Sequence, residues 1–228
     1  MKDLQYILII ARKDFLQELR SRAVTVATLF FATVVIGILA FALGPDRIIM
    51  QRATAGVMWI ALAFAGIISA TQSYQAELEE NAFEQLLLYP ISRPTIFLGK
   101  LIANWLYMIA LSFLIVPVTT LLFNSPLIRL PWLFATISLG TLGFSLIATF
   151  YAALTANLRA RESLLPVLTF PVIVPILQAA VRATNLLLSE TMHPADAEVT
   201  LSWLKLLLGF DLVYFVVCTA LFHFVVEE

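Results

Sequence analysis

The chain has 228 residues, of which 61% are hydrophobic and 13% charged, with a formal net charge of −1. Soluble globular domains carry about 25% charged residues, so this composition excludes a soluble domain. The charges stand between apolar runs of about 20 residues, the pattern of a polytopic helical membrane protein, and no basic stretch of the kind that binds nucleic acid is present.

Residues 1–22 place Leu4, Ile7, Leu8, Ala11, Phe15 and Leu19 on one helical stripe, with Arg12, Lys13, Gln17 and Arg20 mostly away from it. The pattern predicts an interfacial helix on the membrane surface; a disordered polar tail is the alternative. Ala23–Leu43 is the first span. It exceeds the roughly 7–15 apolar residues of a signal peptide and follows a segment that mixes acids with bases, so it reads as retained. Gly44-Pro45-Asp46 signals a turn before the second span, Ala53–Ser73. Leu101–Phe123, Trp132–Ala156, Leu164–Val181 and Trp203–Val226 are the remaining four. Trp132 and Trp203 suit a belt at the membrane surface.

The fold class expected is all-α: one membrane domain over residues 1–228 with six spans, an N-terminal interfacial helix and a cytoplasmic coupling helix within residues 76–94. Residues 183–202 are expected to form an outward-facing loop or short helix, Ala183–Glu190 being the helical part. Of the fourteen Lys and Arg residues, nine lie on the side of the two termini and five on the other. The positive-inside bias places both termini and residues 76–94 in the cytoplasm.

That loop holds the densest charge. Glu77, Glu79, Glu80 and Glu84 lie close together, and Phe83, Leu86, Leu87 and Pro90 follow at i, i+3, i+4 and i+7. A short helix with an apolar stripe beside an acidic one can bury the first in a protein groove and pair the second with basic side chains. Pro90 ends it. The alternative is a solvated loop whose leucines rest on the bilayer.

Other residues offer less chemistry. Cys218, the lone cysteine, lies in an apolar run and reads as a small apolar filler. Asp211 is the main ionisable group within the spans, hydrated if it lies near the outer surface, or paired with Arg182 or Lys205 if it faces the seam with a second copy. Pro166, Pro171 and Pro175 in the fifth span are hinge candidates, since each removes a backbone donor; ordinary tolerance of Pro in membrane helices is the alternative. His193 and His223 are separate single histidines, more in keeping with surface residues than with metal or haem ligands. GxxxxGK[ST], HExxH and GxSxG motifs are absent, so the chain is expected to be a non-catalytic subunit that draws energy from a partner.

The acidic residues followed by AFEQLLLYP (Ala82–Pro90), IFLGK (Ile96–Lys100) and LIAN (Leu101–Asn104) resemble the CcmB family, the membrane subunit of the ABC-type haem exporter of cytochrome c maturation. The resemblance covers nearly the whole chain, including ARKDFLQELRSR at Ala11–Arg22 and the Pro-rich fifth span. The layout is also similar to ABC-2-type export permeases. The resemblance implies a permease subunit in the bacterial plasma (inner) membrane, paired with a second copy and docked on a separate cytoplasmic ATPase that binds ATP. The implied docking residues are Glu77, Glu79, Glu80, Phe83, Glu84, Leu86, Leu87 and Tyr89. Haem is the implied cargo and no cofactor is expected to be bound directly; without a Trp-rich haem signature, a neighbouring membrane subunit is expected to hold it. An ABC-2-type permease for a lipid, polysaccharide or drug, and a scaffold without transport, are the rival readings.

Overall fold

The computed structural model describes residues 2–79, 91–155, 161–191 and 193–225. Among these the chain forms seven α-helices and no strand: α1 (Lys2–Arg20), α2 (Arg22–Leu43), α3 (Arg47–Glu79), α4 (Arg93–Leu122), α5 (Leu130–Thr155), α6 (Arg161–Leu187) and α7 (Pro194–Val225). Helices α2 to α7 are each long and apolar enough to cross a membrane. The all-α, six-span expectation therefore holds.

The helices start earlier than their apolar cores suggest. At α3 the Asp46 carboxylate accepts the backbone N–H groups of Ile48 at 2.8 Å and Ile49 at 3.1 Å, an N-cap that begins the helix well before Ala53. Helix α4 carries a proline in its first turn and so starts at Arg93 rather than at Leu101. Helix α7 starts at Pro194, and the Asp196 carboxylate accepts the His193 N–H at 2.8 Å. Among the described residues, 183–202 hold no separate helix, only a short connection between two long ones. Ala183–Leu187 completes α6, and the residues from Pro194 onward belong to α7.

Helices α3 and α5 are the interior of the bundle; α2 and α7 show most of their surface outward. Close crossings rely on missing side chains, as is usual where helices pack in lipid. A Cβ on Gly66 would press on Phe144 and Met108, and one on Gly140 would run into the Trp59 ring. Cys218 is buried with Phe97, Leu101, Leu146 and Phe222, as an apolar filler should be. The turn from α2 to α3 passes through Gly44 at φ +70, a conformation glycine adopts without a steric penalty.

The end of the bundle away from α1 is stitched by polar contacts. Arg47 pairs with Glu190 at 2.8 Å, and Arg129 Nη1 donates to the carbonyls of Leu187 and Ser189 at the end of α6. Thr54 and Ser125 hydroxyls lie 2.6 Å apart, tying α3 to the α4–α5 connection.

Candidate functional site

On α1, Ile10, Ala11, Asp14 and Glu18 are buried, and the helix packs chiefly against α4. Leu4, Leu8 and Leu19 are exposed. The inward stripe is therefore rotated from the one expected, and it includes two carboxylates. Gly99 permits the approach: a Cβ there would lie 2.7 Å from Ile10 Cβ.

Both carboxylates find partners from the spans. Lys100 Nζ donates to Asp14 Oδ2 at 3.2 Å, and both side chains are almost fully buried. Lys13 Nζ lies 3.1 Å from Asp14 Oδ1 from a half-exposed position, outside hydrogen-bond geometry. Glu18 Oε1 is 2.7 Å from the Ser69 hydroxyl of α3. Ser69 Oγ is 3.3 Å from Asn104 Oδ1 of α4, and Asn104 Nδ2 donates to Thr149 Oγ1 of α5 at 3.2 Å. One polar chain thus links α1, α3, α4 and α5. Near it the Thr25 and Tyr107 hydroxyls, on α2 and α4, meet at 3.3 Å.

Ser69 has one hydroxyl proton but faces two oxygens. Burial pushes the Glu18 carboxyl up to about 8; Asp14 adds to the rise, while the Ser69 hydrogen bond and Lys100 oppose it. A protonated Glu18 can itself donate to Ser69, which frees the Ser69 proton for Asn104. An unfolded Glu carboxyl loses its proton near 4.5. Between that pH and about 8 the folded state holds the extra proton, so stability falls as pH rises across this window. Across two pH units the loss is on the order of 2–3 kcal/mol. Melting of the purified protein should occur roughly 5–10 °C lower at pH 7.5 than at pH 5.5, and Glu18→Gln should flatten that slope. An unchanged slope in Glu18→Gln would show that Glu18 does not set it.

The clasp sits on the two helices that flank the acidic segment. Glu77 and Glu79 lie at the end of α3. Glu80, Phe83, Glu84, Leu86, Leu87 and Tyr89 lie outside the described residues. Ser69 is on the α3 stem of that segment, and Lys100 and Asn104 are on its α4 stem. Buried hydrogen bonds thus join the α3 stem to α1, and the α4 stem to α1 and α5.

Pro166, Pro171 and Pro175 all lie within α6, which runs on through them. Each lacks the N–H that would bond the carbonyl one turn earlier, so Glu162, Val167 and Pro171 lose their usual donors. In this weakened stretch Tyr214 of α7 donates to the Val172 carbonyl at 3.0 Å. Asp211 is buried in the middle of α7, against Gly143 of α5. Neither of its oxygens is hydrogen-bonded, and within one chain it pairs with neither Arg182 nor Lys205. The early start of α7 explains this: Asp211 lies deep in the helix, whereas Arg182 and Lys205 are exposed toward the far end. His193 is exposed beside the α7 cap, and among the described residues no three His, Cys, Asp or Glu side chains come together.

A family model described as CcmB protein matches residues 5–226. The chain belongs to the CcmB family. Among curated CcmB relatives, Heme exporter protein B of Pseudomonas aeruginosa is 30% identical over 172 residues, covering 75% of this chain and 77% of that protein. Heme exporter protein B of Rhodobacter capsulatus is 30% identical over 149 residues, 65% of this chain and 68% of its own. That of Bradyrhizobium diazoefficiens is 25% identical over 187 residues, 81% and 84%. The Asp14, Glu18, Ser69, Lys100 and Asn104 positions all fall inside the matched CcmB region.

Proposed function

We propose that this chain is the membrane permease subunit of a haem export system serving cytochrome c maturation, driven by a separate cytoplasmic ABC ATPase. The family match over residues 5–226 supports the system. The observation that carries the mechanism is the buried clasp of Asp14, Glu18, Ser69, Lys100 and Asn104 on the stems of residues 80–90. In this reading the chain performs no catalysis and binds no cofactor, haem is its substrate, and ATP is bound on the partner. Both termini and the acidic segment face the cytoplasm, following the Lys and Arg bias. A second copy of the chain and a haem-handling membrane subunit complete the assembly.

Closure of the ATPase pulls the segment formed by Glu77, Glu79, Glu80, Phe83, Glu84, Leu86, Leu87 and Tyr89. Helices α3 and α4 tilt, and the clasp carries α1 and α5 with them. The prolines of α6 let its two halves move apart.

Co-purification tests the docking step. The variant carrying Glu84→Lys and Leu87→Asp should lose the ATPase, since it reverses a charge and wets the apolar stripe. An ATPase that still co-purifies and turns over normally would sink the docking mechanism. For the hinge, replacing Pro166, Pro171 and Pro175 with Ala together should lower mature cytochrome c several-fold. Unchanged yield at equal protein level would remove the hinge.

A further inference from the structure

We propose that the groove between α3 and α6, at the end of the bundle away from α1, binds an anionic phospholipid. The groove encloses about 530 Å³. Its floor is apolar, built from Gly56, Trp59 and Leu177, and its rim carries Arg182 and Asn185. Asn185 also lines an adjoining cavity of about 420 Å³ that contains Arg52. The two spaces meet at Asn185, with the apolar lining in the first and Arg52 in the second.

Charge decides the occupant. Glu190, the carboxylate beside the second cavity, is already engaged by Arg47 at 2.8 Å and by Gln51 Nε2 at 3.3 Å. Among the described residues Arg52 and Arg182 make no ion pair. Arg182 at the rim of the groove and Arg52 in the adjoining cavity are therefore two guanidinium groups that no carboxylate neutralises, on either side of Asn185. A guanidinium fork matches phosphate oxygens in two-pronged geometry. The groove opens sideways past the exposed Ile60 and Val174, which puts its mouth on the lipid-facing surface. Its ligand then enters from the bilayer with its headgroup at the arginines and an acyl chain along Gly56 and Leu177. A zwitterionic lipid offers the same chain but no net charge for the two cations.

Gly56 gives an independent handle. A Cβ at Gly56 would meet nothing within 4 Å, because the position faces the open groove. Gly56→Leu should thus fill the floor without a clash and leave both arginines in place.

Native mass spectrometry of the full chain, equilibrated in detergent with equal phosphatidylglycerol and phosphatidylcholine, tests the site. Wild type should retain one phosphatidylglycerol per chain with a preference of roughly tenfold or more. Arg52→Gln with Arg182→Gln should abolish the preference. Gly56→Leu should lose the retained lipid altogether. The matched pair Lys205→Gln with Arg12→Gln, which removes the same charge elsewhere, should behave as wild type. Equal retention of both lipids by wild type, or an undiminished preference in the double arginine variant, overturns the proposal. So does stoichiometric displacement of the lipid by haem, which would assign the groove to that carboxylate-bearing amphiphile. The readout is lipid mass, so the result stands apart from the fate of the haem-export reading.

Discussion

Lys100→Met should lower stability by about 3–5 kcal/mol, the usual cost of removing one partner from a buried ion pair. In a chain of this size that corresponds to a fall in melting temperature of roughly 10 °C. Asp14 is left almost fully buried with only the half-exposed Lys13 nearby, and Glu18 loses the positive charge that opposes its desolvation. Replacing both partners should be milder. Asp14→Leu with Lys100→Met removes the charges together, and a well-packed apolar pair is often neutral or better. The two variants separate stability from coupling. If the clasp transmits movement from residues 80–90 to α1, the double variant should melt near wild type yet fail to mature cytochrome c. Melting curves and cytochrome yield, taken on the same preparations, check this. A single variant that costs under ~1 kcal/mol, or a double variant no more stable than the single, would remove Lys100 from the clasp.

The spans were legible because about 20 apolar residues is a signal of composition, which packing cannot rearrange. The clasp was not legible, for local reasons. Lys100 reads as a basic residue of a loop when the third span is counted from Leu101. The proline-led start at Arg93 turns Ile96–Lys100 into helix and points Lys100 inward. Asp14 and Glu18 stand at i+3 and i+7 from Ala11, within the stripe that faces α4. A stripe chosen by hydrophobicity alone passes over them and selects Leu4, Leu8 and Leu19, which the fold leaves exposed. The signal was present as two carboxylates in phase with apolar residues, but nothing in the sequence states that a lysine far along the chain answers them. Asp211 was misplaced for the same reason as Lys100: a helix start read from the apolar run instead of from Pro194 and the Asp196 cap.

Gly140→Val should cost about as much as loss of Lys100, by a steric route. Trp59 of α3 is 2% exposed, and its indole N–H donates to Thr184 Oγ1 of α6 at 3.0 Å. The ring lies directly on Gly140 of α5, where even a methyl group would collide with it. Three helices thus meet through one side chain that is pinned at its polar end, and the bulk of Val gives the ring nowhere to stay. Overpacking costs about 1–3 kcal/mol and the stranded indole N–H adds ~1–3 kcal/mol. The combined loss is about 2–6 kcal/mol, read as a melting temperature roughly 10 °C lower. Glycines elsewhere provide the contrast. A Cβ on Gly37 or Gly209 meets nothing within 4 Å, so Gly37→Ala and Gly209→Ala should leave melting unchanged or raise it slightly through helix propensity. The decisive comparison is a cycle with Trp59→Phe, which vacates the outer ring and the hydrogen bond together. Gly140→Val should cost at least ~1 kcal/mol less in that background, because residues in contact do not add. Equal costs in both backgrounds would mean that Gly140 is not what holds Trp59 between α5 and α6.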